Sequence, residues 1–177
     1  MAESVGWGLM ATIFPAVQIK PYRECERGEL IRPQWGDSPL ALAAQTPEGR
    51  RCVVCLTDEG GQQSPMFYHP DDRAPDRPTM SYGKGFELRV DHSHSNFEFR
   101  QYTYGFAGSL HLEGPEWFLK VAPSSPDLSE AWYNFQTGYL GKGPQTPYSA
   151  RFKAWSLVIP TSDPAAPLVL YNFKPPL

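Results

Sequence analysis

Cysteine is scarce in this chain: Cys25, Cys52 and Cys55 are the only three in 177 residues. An odd, sparse set argues against a disulfide scaffold and fits a reducing compartment. Positive charge never gathers either, since Lys and Arg occur singly or in pairs and the net charge is −3. That balance argues against a nucleic-acid partner. Long apolar runs are also missing. The best candidate, Val5 to Val17, is broken by Gly6, Gly8 and Pro15, has Glu3 but no Lys or Arg ahead of it, and is too short for a bilayer. The expectation is a soluble, cytoplasmic protein with no membrane partner. Last, no long helical period survives among 19 prolines and 15 glycines.

What is present is apolar material in short alternating pieces. Hydrophobic residues make up 41% and aromatics 14%, enough for a packed core and too much for disorder. Leu40, Leu42 and Ala44 alternate, Thr46-Pro47-Glu48-Gly49 turns, and Cys52 to Leu56 follows as a strand buried on both faces. Ser38-Pro39 leaves a short helix open as an alternative for the first arm. Further strands are expected at Pro65 to His69, Phe86 to Val90, Phe97 to Tyr104, Leu110 to Leu112, Trp117 to Val121, Arg151 to Ile159 and Leu168 to Phe173. Asp127-Leu128-Ser129-Glu130 has capping-box spacing and predicts a short helix through about Phe135. Between them, the proline-broken stretch 69–79 reads as an irregular loop able to lie across a barrel mouth as a lid.

These pieces predict a mainly β, single-domain fold over residues 1–177. It should be a jelly roll, β-sandwich or small barrel with at most one or two short helices.

The sharpest chemical feature is Asp91-His92-Ser93-His94-Ser95-Asn96-Phe97-Glu98. Alternation would put Phe86, Leu88, Val90, His92 and His94 on one strand face, so two imidazoles end an apolar stripe. Two nitrogens at that spacing can share one ion at about 2.1 Å each. Glu98, returned by the turn, adds an oxygen, and His111 one strand further on is a candidate fourth ligand. Arg100, Tyr102 and Tyr104 share the returning strand's face with Glu98. The same eight residues also have the composition of a solvated hairpin loop, and both readings stand.

Gly85, His92, His94, Glu98 and Gly105 resemble the first motif of the cupin superfamily, with the leading glycine one residue too far upstream. The second motif is not found: no histidine follows His111, and Glu130 with Asn134 reproduces only its tail. The resemblance implies a β-barrel holding one divalent transition metal (Fe, Mn, Ni or Zn) through His92, His94, Glu98 and His111. It implies metal-dependent dioxygenase or isomerase chemistry on a small polar or carboxylate-bearing molecule. In that reading Glu98 and Tyr102 are catalytic, while Arg100 and Tyr104 bind substrate, Arg100 by forking onto a carboxylate. The alternative is a non-catalytic β-sandwich that binds a protein or a glycan. The partners expected are a small-molecule ligand and, at most, a second copy in a homodimer.

Other motifs carry less. Cys52 and Cys55 lie three apart on a strand, so their sulfurs face opposite sides and cannot converge on a metal. Cys25 sits between Glu24 and Glu26, whose charges disfavour its thiolate. His69, Asp71 and Asp72 are ligand types in a loop that is more simply solvated. Trp117 and Trp155 belong to alternating strands and should be core, whereas Trp35 lies among turn residues and should be exposed. Neither a Gly-x-Ser-x-Gly elbow nor a phosphate loop is present, since 138–143 lacks the spacing and a following helix.

Overall fold

The computed structural model describes residues 16–34, 38–57, 65–70, 74–93, 97–101, 106–124, 129–146 and 148–174, with only the backbone for 99–101 and 148. Fifteen strands run through them. They are β1 Gln18–Pro21, β2 Leu30–Pro33, β3 Ala41–Gln45, β4 Arg51–Cys55, β5 Met66–Tyr68, β6 Pro78–Gly83, β7 Glu87–Val90 and β8 Phe97–Gln101. The rest are β9 Leu110–Glu113, β10 Glu116–Pro123, β11 Ala131–Asn134, β12 Leu140–Gly141, β13 Tyr148–Phe152, β14 Trp155–Ile159 and β15 Leu168–Phe173. The described residues contain no α-helix, only two 3-10 turns at Tyr22–Glu24 and Ala74–Asp76. None of them forms a helix long and apolar enough to cross a membrane.

Twelve strands form one sheet in the order β1-β6-β2-β3-β4-β5-β10-β9-β13-β8, with β11 and β12 branching from β10. Its two halves meet where β5 and β10 run parallel, Met66 opposite Ala122. Three strands, β15-β14-β7, form a second sheet. A single parallel bridge, Gln45 with Tyr139, links β3 to the start of β12 but closes no barrel. The arrangement is sandwich-like.

The hairpin β3–β4 shows why the large sheet is buried on both sides. Leu42, Ala44, Cys52 and Val54 join the main core, while Ala41, Ala43, Val53 and Cys55 join a second cluster with Tyr22, Cys25 and Ile31. Successive side chains alternate faces, so an unbroken apolar run needs cover on each. On the outer side that cover is the 3-10 turn, whose Tyr22 hydroxyl donates to the Cys52 carbonyl at 3.0 Å. The sequence's Ser38-Pro39 helix alternative is thus settled as a strand.

The main core lies between the sheets. Leu110, Leu119, Val121, Tyr133 and Phe152 come from the large sheet; Trp155, Leu157, Tyr171 and Phe173 come from the small one. Trp155 stacks on Phe173 at 5.7 Å and donates its indole N–H to the Gly108 carbonyl at 2.7 Å. Gly108 has φ +96°, and a Cβ there would meet the Phe173 ring at 2.2 Å, so only glycine lets that ring close over the turn.

Three expectations are corrected. The capping box at 127–130 does not open a helix: Ala131 to Asn134 is β11, paired with Val121 to Phe118. The local signal lost to packing, because the strand sends Tyr133 into the core and Trp132 to the other face. Arg151 to Ile159 is not one strand. The chain leaves the large sheet after Phe152 and enters the small one at Trp155, with Lys153-Ala154 as the crossover. Finally, the stretch 69–79 is not wholly irregular, since it holds the 3-10 turn Ala74–Asp76 and the start of β6 at Pro78.

Candidate functional site

The histidine stretch is placed differently from the stripe its alternation predicted. β7 ends at Val90, where Asp91 N–H donates to Ala154 and the Asp91 carboxylate accepts from Ser93 N–H at 2.8 Å. That Asx-type turn stops the ladder before the histidines. His92 is exposed, with its ring edge-on to Phe152 at 5.4 Å. His94 lies outside the described residues.

Glu98 sits on β8 opposite Arg151 on β13, and Arg151 sits opposite His111 on β9. Paired residues of an antiparallel sheet share a face, so all three point to the large sheet's outer side. The Glu98 carboxylate is held by the Arg151 guanidinium and by Lys153 Nζ at 3.3 Å. His111 is completely buried. Its Nδ1 meets the Ser149 hydroxyl at 2.7 Å, its Nε2 meets the Ser109 hydroxyl at 3.3 Å, and its ring stands edge-on to Trp132. Burial first, and then the Lys120 charge, push its pKa down to about 4, which keeps the imidazole neutral.

Both ring nitrogens of His111 are therefore engaged by serines. No three His, Cys, Asp or Glu side chains converge as a metal site among the described residues. His92, Glu98 and His111 are not brought together among the described residues, and His94 lies outside them. Arg100 pairs through its backbone with Ser149; its side chain, and the whole of Tyr102, Tyr104, Gly105, Trp35, Asp71 and Asp72, lie outside the described residues.

The cysteines follow the alternation argument. Cys52 and Cys55 lie in different clusters on opposite faces of β4. Burial pushes their thiols up to about 12 and about 11. Cys25 is raised to about 11, by burial first and Glu29 second, so the flanking carboxylates matter less than the sequence suggested.

Two cavities are better placed for chemistry. The first, about 570 Å³, opens at one end of the sandwich. Phe86 and Leu88, from the small-sheet side, face Trp117 and Phe135 from the large-sheet side, all half-buried. Arg27 and Lys84 add two cations, and no carboxylate lines it among the described residues. The turn Gln136 to Tyr139 makes the end wall. Gly138, at φ +69°, lies so close to Arg27 and Gly28 that a Cβ would meet the Gly28 nitrogen at 2.8 Å. Arg27 lies over the Tyr139 ring, its Cζ 3.7 Å from the centroid.

The second cavity, about 1030 Å³, lies beyond Tyr139 on the large sheet's outer side. Phe118 and Trp132 floor it, with Glu48, Glu130 and Lys142 around it. Gly143 lies flat on the Trp132 indole, where a Cβ would meet ring atoms at 2.5 Å, so that ring offers no open platform.

Sequence reasoning placed Trp117 in the core and passed over Arg27, Lys84 and Phe135. The alternation of Phe86 and Leu88 was the one local signal, since the cleft is assembled from distant segments. No family model matches the chain, and no curated protein or solved structure matches it significantly.

Proposed function

We propose that this protein binds a small organic molecule in the cleft between its two sheets. The observation that carries the reading is the cleft itself: about 570 Å³, apolar in its body and polar at its rim. Ligand sites commonly run about 300–1,000 Å³ and combine an apolar lining with a few placed polar groups. No histidine, cysteine or carboxylate lines the cleft among the described residues, which favours binding over turnover. The small-molecule partner expected from the sequence is retained, with Trp117 and Phe135 as its apolar contacts in place of the strand following His94.

Trp117 supplies the test. Titration with apolar small molecules should change tryptophan emission saturably, and Trp117→Phe should remove most of that change. Calorimetry should still register binding to the variant, because phenylalanine keeps an aromatic wall. Failure of any apolar ligand to bind, by either method, would sink the reading.

A further inference from the structure

We infer that the cleft's ligand is an acid, an amphiphile whose anionic head is held by Arg27 while its apolar body lies along Trp117 and Phe135. This rests on the cleft being a binding site and adds the charge of what it binds. Three observations carry it.

The first is sign. Two cations and no carboxylate line the cleft among the described residues, in a chain whose net charge is −3. A low-dielectric wall strengthens the attraction of such a pair for an anion beyond its value in open water.

The second is the condition of Arg27. Among the described residues its guanidinium makes no ion pair; its contacts are the Tyr139 ring face at 3.7 Å and a long hydrogen bond to Gln45 Oε1 at 3.4 Å. A guanidinium lying on a ring keeps its N–H fork in its own plane, and with only the long bond from Nη1 to Gln45 its remaining N–H groups are available at the edge for an anion's oxygens. Its backbone is fixed, because Gly28 N–H donates to Ala43 at 2.8 Å and Gly138 packs against its stem. The fork is therefore positioned before any ligand arrives.

The third is Lys84. It pairs with Glu26 at 2.8 Å, but the two side chains are 54% and 71% exposed. Such a surface pair is worth little, so the ammonium can turn to a second anion at small cost. Arg27 is then the anchor and Lys84 the auxiliary charge. Carboxylate and phosphate monoesters share the needed chemistry, so the test carries both.

Decanoate, decyl phosphate, decanol and decylamine present one apolar body with four heads. Calorimetric titration of the full chain at low salt should give at least one anion binding about tenfold tighter than decanol, with decylamine weakest. Arg27→Gln should abolish the preference, and measurable decanol binding by the variant certifies its fold. Lys84→Gln, at an exposed position, should weaken the anion about threefold, and more than it weakens decanol. Equal affinity for the anions and decanol overturns the inference and leaves small-molecule binding standing. So does a preference for decylamine, or an anion preference that survives Arg27→Gln. No binding by any of the four overturns both.

Discussion

The cleft and the groove share a wall, the turn that carries Thr137 and Tyr139, yet they are chemically opposed. The smaller cavity, about 570 Å³, is walled by rings from two layers and, among the described residues, is lined by two cations, one of them paired with Glu26 outside the lining; the larger, about 1030 Å³, carries Glu48 and Glu130 against Lys142. The difference follows from where each was made. A gap between two sheets leaves inward-facing apolar residues half-covered among the described residues. A gap on the outer side of one sheet is bordered by turns, whose residues are chosen for solvent. Size alone would have pointed to the groove.

The contrast can be broken in three places. Trp155→Ala has the largest expected effect, because that indole stacks on Phe173 and stands edge-on to Phe135, a wall of the cleft. Loss of about 3–5 kcal/mol is expected in urea denaturation, from the cavity left behind. Ligand affinity in the cleft should fall with it. A loss below about 1 kcal/mol would mean that the sheets do not depend on this contact.

The next effect is on the groove side. His111 supports Trp132 and is held neutral, with its pKa at about 4 against an ordinary 6.5. Between those values the unfolded imidazole takes a proton and the folded one resists it. Its contribution to stability is therefore complete above pH 6.5 and lost as the pH falls toward 4, by about 3 kcal/mol at most. Denaturation midpoints across that window should show this slope in the parent and a shallower one in His111→Gln. Equal slopes would show that His111 is not the group responsible.

The smallest effect belongs to the histidine stretch. His92 is exposed and lines neither cavity, so His92→Ala/His94→Ala should leave stability within about 0.5 kcal/mol. Ligand affinity should also be unchanged. Metal content measured on both proteins decides the cupin-like reading. One equivalent of a transition metal in the parent, lost in the variant, would restore it and displace the cleft as the leading site.

These regions also differ in how far the sequence revealed them. The β3–β4 hairpin was legible because both faces of Cys52 to Leu56 are apolar and a turn sits where it must. The strands β9 and β10 were legible too, because Leu110 to Leu112 and Trp117 to Val121 flank the turn residues Gly114-Pro115. β11 was not, because its capping box is a local preference and the pairing with β10 is a distant one. The Phe152-to-Trp155 crossover was invisible, since alternation continues across it in composition while the chain changes sheet. His111 teaches the sharper point: its residue type suits a ligand, and only the two serines beside it show where its nitrogens go. Arg27 and Lys84 had no motif to carry them, being 57 positions apart and joined solely by the fold.

The crossover at Lys153-Ala154 has a kinetic meaning. The three strands of the small sheet come from residues 87–90, 155–159 and 168–173, so β14 must find β7 across more than sixty intervening positions. Neither sheet can therefore be completed from a contiguous stretch of chain. Long-range closure has to precede most of the stabilising contacts, which places folding in the slow class of nonlocal β topologies, roughly milliseconds to seconds. A nascent chain that has not yet emitted residue 173 lacks the ring that packs over Gly108 and stacks on Trp155, and its core stays open until that strand is made.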